Sequence, residues 1–144
     1  MFASSPMEDL LLPVLLVEDD VLAARSVERV LRRARMQVVL ARTCERARQV
    51  PGRFRTGIFD IELGDGDGVA LAAEFMASDR LESVVFYTAC TLPERIHEAE
   101  RLGEIVLKGA PGAVLLAALG RAARPRSDSP PAVESPQSGE NGSR

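Results

Sequence analysis

Five times along this chain a short apolar run gives way to apolar residues at helical spacing, and that alternation restricts the available folds more than any other feature. The runs fall at residues 13–17, 36–41, 56–60, 83–88 and 104–107. Each is short enough for a strand, and too continuously apolar for one with a wet face. Such runs suit a parallel sheet covered on both sides. Between them the period changes. Val21, Ala24, Val27, Val30, Leu31 and Ala34 form a helical stripe with arginines interleaved, and the acid before it suits a helix cap. Thr43 opens a short helix that Pro51-Gly52 ends. Val69, Ala72, Ala73 and Met76 form another stripe. Thr91-Leu92-Pro93-Glu94 has the capping-box pattern for a polar helix to about residue 102, and an alanine- and leucine-rich helix ends near residue 123. Strand–helix units repeated in this way predict an α/β domain with right-handed crossovers.

The 144 residues give room for one such domain over 13–123, a lead-in over 1–12, and a Pro/Ser/Gly-rich tail over 124–144 expected to be disordered. A net charge of −3 implies no partner, but its distribution is uneven. Ten arginines lie between Val21 and Arg55 against two acids, and eleven acids between Thr56 and Glu104 against three arginines. That asymmetry either steers an approaching partner or reflects two solvated helical faces. Cys44 and Cys90 are too few for a disulfide framework and suggest a reducing compartment. The first apolar stretch is short, broken by Pro13 and preceded by no basic residue, so neither a signal peptide nor a membrane span is expected; the cytoplasm is the default. The arginine-rich segment lacks stacking aromatics and a helix-turn-helix extension, so direct DNA binding is not expected.

The chemistry gathers at the carboxyl ends of the expected strands. The first ends on Glu18 and Asp19, the third on Asp60, the fourth on Thr88 and the fifth on Lys108. In an open α/β sheet these ends share one rim, where ligands bind. Crowded carboxylates repel unless a cation joins them, and an all-oxygen donor set suits Mg²⁺. A lysine supplies a point charge for a phosphoryl oxygen and a threonine hydroxyl donates to a second. Lys108 is the only lysine beside seventeen arginines, which fits a position where a compact charge is wanted. Taken singly, Glu18-Asp19-Asp20 reads as a helix cap and Asp65-Gly66-Asp67-Gly68 as turn chemistry. The calcium-loop reading of the latter lacks its later bidentate acid.

In this order the residues resemble a known family. Val14-Leu15-Leu16-Val17-Glu18-Asp19-Asp20, Phe59-Asp60 with Asp67-Gly68 downstream, Val84-Val85-Phe86-Tyr87-Thr88-Ala89, and Val106-Leu107-Lys108 are similar to the receiver domain of two-component response regulators. The resemblance covers residues 14–123. It implies a doubly wound, flavodoxin-like (βα)₅ fold with strand order 2-1-3-4-5, as in single-domain chemotaxis regulators. It implies phosphorylation of Asp60 by a phosphohistidine donor, either a sensor histidine kinase or a histidine phosphotransfer protein, with output to an unknown protein. By resemblance, Asp19, Asp60 and the main-chain carbonyl of Glu62 hold Mg²⁺, with Glu18 acting through water. Thr88, Ala89 and Lys108 meet the phosphoryl group, and Thr88 and Ile105 occupy the switch positions.

Three positions depart from the family pattern. Gly109-Ala110 separate Lys108 from Pro111, where the family usually has proline directly, often after a cis bond. Ile105 replaces an aromatic that swings inward on activation. Gly64 replaces a frequent proline and suggests a more flexible loop. These departures favour, as the alternative, a receiver-like interaction module without a phosphorylation switch. A third reading, a haloacid-dehalogenase-type phosphatase, needs a general-acid aspartate two residues after the nucleophile, where this chain has Glu62. The expected chemistry is therefore that of a phosphoacceptor rather than an enzyme acting on an external substrate.

Overall fold

The computed structural model describes residues 13–124; the expected lead-in and nearly all of the expected tail lie outside them. Five parallel strands are joined by helices: β1 (Val14–Val17), α1 (Val21–Arg33), β2 (Val38–Ala41), α2 (Cys44–Gln49), β3 (Phe54–Phe59), α3 (Gly68–Ala77), β4 (Leu81–Thr88), α4 (Pro93–Glu100), β5 (Gly103–Leu107) and α5 (Gly112–Ala122). They form one sheet in the order β2-β1-β3-β4-β5, the expected doubly wound topology. Among the described residues no helix is long and apolar enough to cross a membrane.

Side-chain alternation along the strands builds two cores. Val14 and Leu16 of β1, Ile58 of β3, and Val85 and Tyr87 of β4 face Ala24, Val27 and Leu31 of α1 and Leu115, Ala118 and Leu119 of α5. Leu15, Val17, Phe59, Val84 and Phe86 face the opposite side, with Leu71, Ala72 and Phe75 of α3 and Ala99 of α4. Phe75 is fully buried, meets Phe59 edge to face at 6.1 Å, and lies under the Arg80 guanidinium.

Local signals place several helix starts. Asp20 caps α1 by accepting from Ala23 N, and Thr43 caps α2 by accepting from Arg46 N, both as expected. The capping box at Thr91 does not form. The first turn of α4 closes on the Leu92 carbonyl, which accepts from Arg95 N and Ile96 N, so Leu92 is the cap and no side chain satisfies it. The α3 stripe is also rotated from expectation. Ala73 is exposed, and Leu71 and Phe75 are buried beside Val69 and Ala72. Nearly every residue of that helix is apolar, so the sheet rather than the period selects the inward face. Val21 and Ala34 of the α1 stripe are exposed too.

Truncating Phe75 to alanine removes the ring that joins α3 to β3. The expected loss of stability is about 3–5 kcal/mol, measured by urea denaturation. A loss below about 1 kcal/mol would contradict this packing.

Candidate functional site: an acidic rim closed by one lysine

The ladder carries the site residues just past the strands. Glu18 N donates to Ala41 O, Asp60 N to Val17 O, and Lys108 N to Thr88 O. These bonds extend the register by one residue and fix the backbone under each functional side chain. Thr88, the last residue of β4, is fully buried, and Glu18 and Asp60 are buried too.

All the expected polar partners converge on Asp60. Lys108 Nζ donates to Asp60 Oδ2 at 2.8 Å and to Glu18 Oε2 at 3.0 Å. Thr88 Oγ1 donates to Asp60 Oδ1 at 2.7 Å, and Glu62 N donates to the same oxygen at 3.2 Å. Glu18, Asp19 and Asp60 each offer a carboxylate oxygen within 4.8 Å of the others. Glu62 is exposed, and its amide sets its backbone beside the Asp60 carboxylate. Ala89 is exposed next to Thr88, so no bulky side chain covers the rim there.

The charges explain why a lysine is needed. Burial pushes the Glu18 carboxyl up to about 7; hydrogen bonds from Lys108 and from the Asp20 amide oppose the rise, and the nearby Asp60 charge adds to it. Burial pulls the Lys108 ammonium down, but its bonds to Asp60 and Glu18 outweigh that, so it is held above its ordinary value and stays charged. Three carboxylates against one ammonium leave an acid excess, and every donor is oxygen. A hard divalent cation of the Mg²⁺ type fits that donor set and charge.

The loop after Asp60 is a two-stranded antiparallel hairpin, Glu62–Leu63 against Gly66–Asp67. Gly64 sits in the turn of that hairpin. Gly64 N donates to Asp19 Oδ2 at 2.9 Å, a bond that a proline lacks the hydrogen to make. Asp65 accepts from Cys44 N and Glu45 N at the start of α2. Asp67 caps α3 and receives both terminal nitrogens of Arg95. Gly68 packs so closely that a Cβ there would lie 1.7 Å from the Asp60 carbonyl oxygen. The loop thus has ties to α1's leading loop, α2 and α4.

Ile105 lies half-buried on β5 against the core that holds Phe86. No peptide bond is cis among the described residues, and Gly109 takes a positive φ of 97°. Cys90 is buried, and His97 and Arg29, Arg32, Arg33 and Arg35 are exposed. Arg95 was not singled out by sequence, because its partner is 28 positions away. Asp67 carried a legible signal, since an acid directly before a helical stripe is a cap pattern.

No protein-family model matches the chain, and no curated protein matches it in sequence. Solved structures do. It is 30% identical, with a TM-score of 0.67, to the N-terminal domain of a response regulator/sensory box/GGDEF three-domain protein from Carboxydothermus hydrogenoformans, over 77% of this chain and 93% of that one. It is 20% identical, with a TM-score of 0.72, to a CheY-like response regulator receiver domain protein from Methanospirillum hungatei, over 78% and 94%. It is 24% identical, with a TM-score of 0.67, to the chemotaxis response regulator CheY4 of Vibrio cholerae, over 78% and 98%. The last two show a shared fold.

Glu18 makes the metal-free protein sensitive to pH. Between the ordinary glutamate value of 4.5 and about 7, the unfolded chain ionises while the folded Glu18 keeps its proton. Stability therefore falls as pH rises through that window, by on the order of 2 kcal/mol. Denaturation curves across that range in chelator should show the fall, and Glu18→Gln should flatten it. An identical slope in Glu18→Gln would contradict the assignment.

Proposed function

The chain belongs to the receiver domains of response regulators, and from that membership we propose that it is a response regulator receiver phosphorylated on Asp60. One observation carries the reading. Among the described residues Asp60 is the single carboxylate contacted by both Lys108 and Thr88, with Glu18 and Asp19 completing the acidic group.

An Asp60 carboxylate oxygen attacks the phosphorus of a phosphohistidine on a kinase or phosphotransfer protein. The new P–O bond forms as the P–N bond breaks, and the nitrogen keeps the bonding pair. Lys108 holds a positive charge against Asp60 and is positioned to bind the incoming phosphoryl oxygens. The Thr88 hydroxyl donates to Oδ1 and orients the carboxylate. Asp19, Asp60 and the main-chain carbonyl of Glu62 are the residues that would hold Mg²⁺, with Glu18 through water. Bound Mg²⁺ lowers the repulsion between the anionic carboxylate and the anionic phosphoryl group. The hairpin amides fix the remaining geometry: Gly64 N holds Asp19, and Glu62 N holds Asp60.

In this reading the chain turns over no external substrate. Its chemistry is limited to gaining and losing its own phosphoryl group, and output passes through protein contacts or onward phosphotransfer in the cytoplasm. Ile105 favours a second reading, an interaction module without a switch, because an aliphatic side chain has no ring to rotate inward.

Incubation with a small phosphodonor and Mg²⁺ should add one phosphoryl mass, and Asp60→Asn should abolish it. Lys108→Ala should slow the gain by at least about tenfold. No adduct with small donors or a cognate kinase would overturn the phosphoacceptor reading. Steady turnover of an external phosphoester would favour a phosphatase instead.

A further inference from the structure

Two chains of contacts lead from Asp60 to α4. The first passes through Thr88, whose Oγ1 donates to Asp60 and accepts from Cys90 N at 3.1 Å, shortly before α4 begins. The second passes through Arg95 in the first turns of α4. Its Nη1 donates to Asp67 Oδ2 at 3.1 Å, and its Nη2 to Asp67 Oδ1 at 3.0 Å and to the Ile61 carbonyl at 3.3 Å. Ile61 is the residue directly after Asp60, and its carbonyl also accepts from Gly68 N. The guanidinium therefore grips both ends of the loop that carries Asp60.

The helix on the other end of this grip is lightly held. Ala99 is its one buried residue, and its cap, Leu92, is exposed and makes no side-chain bond. Arg95 spends both terminal nitrogens on the loop and leaves its Nε buried without a partner. An unsatisfied buried donor costs free energy, so this grip is held at a cost. Elements with few buried contacts and one polar anchor are those that shift between states.

We propose that Arg95 is a positioning residue whose fork on Asp67 and the Ile61 carbonyl sets the position of α4 according to the state of Asp60. It takes over the reporting role for which Ile105 has no ring. This rests on the reading of Asp60 as the phosphoacceptor. Phosphorylation removes the carboxylate charge that Thr88 and the Glu62 amide bind at Oδ1 and moves charge outward onto the phosphoryl oxygens. The Glu62 amide that binds Oδ1 and the Ile61 carbonyl that Arg95 grips belong to one peptide unit, so that unit turns when Oδ1 loses its charge, Arg95 follows its acceptor, and α4 follows Arg95. The surface that changes is the exposed start of α4, around Leu92 and Glu94.

The test is NMR of the full chain, comparing amide shifts of residues 93–100 free and saturated with fluoroberyllate and Mg²⁺. In the wild type the α4 amides should move on binding. Arg95→Ala should bind fluoroberyllate with affinity changed by less than about fivefold, while the free-to-bound shifts of α4 disappear. Asp67→Asn keeps an oxygen to cap α3 and loses the fork, so it should give the same loss, with no further loss in the double variant. A purely structural role for Arg95 would alter the free spectrum and leave the free-to-bound difference intact, which would overturn the proposal. Fluoroberyllate binding to the wild type with an unmoved α4 would overturn it alone. No binding at all would overturn the phosphoacceptor reading, and the coupling with it.

Discussion

The bond pair from Lys108 to Glu18 and Asp60 is the contact on which the site depends. Two carboxyls with almost no solvent exposure sit within reach of one another, and a third is close by. Ionised and unpaired, such a group would strain the rim of the sheet. One ammonium offsets part of that charge, and the residual acid excess is what makes the rim suited to a divalent cation. Removing the lysine would leave two buried acids facing each other, since its one nitrogen bonds both. Burial, with a smaller addition from the Asp60 charge, raises the Glu18 carboxyl.

The topology makes the cluster possible. Strands β1, β3, β4 and β5 run in the same direction, so their ends deliver residues 18, 60, 88 and 108 to one edge although ninety positions separate the outermost pair. Two cores, one on each side of the sheet, hold those ends in register. The hairpin after Asp60 then ties that residue to its surroundings by short bonds. Gly64 reaches Asp19, Asp65 reaches α2, and Asp67 reaches Arg95 on α4. A loop that carries no regular strand signal in sequence is thereby the best-connected segment of the rim.

The strands and the site residues at their ends were legible because a buried parallel strand needs a continuous apolar run, and the residue after it has nowhere to go but the rim. Asp20 and Thr43 were legible as caps because capping is decided within three residues. Other features were decided by contacts far away in sequence. Which face of α3 turns inward depends on the sheet, since nearly all its residues are apolar. The start of α4 follows the Leu92 carbonyl rather than the hydroxyl of Thr91. The hairpin strands are two residues each, too short for alternation to appear. The fork between Arg95 and Asp67 has no local signature at all.

The central claim is that a phosphoryl group resides on the carboxylate of Asp60. Acyl phosphates are reduced by borohydride to the corresponding alcohol, so trapping the phosphorylated chain and mapping its peptides locates the bond directly. The account predicts homoserine at position 60 and no other modified site. A phosphoryl group found on another side chain, such as the exposed His97, with an unreduced Asp60 would contradict it.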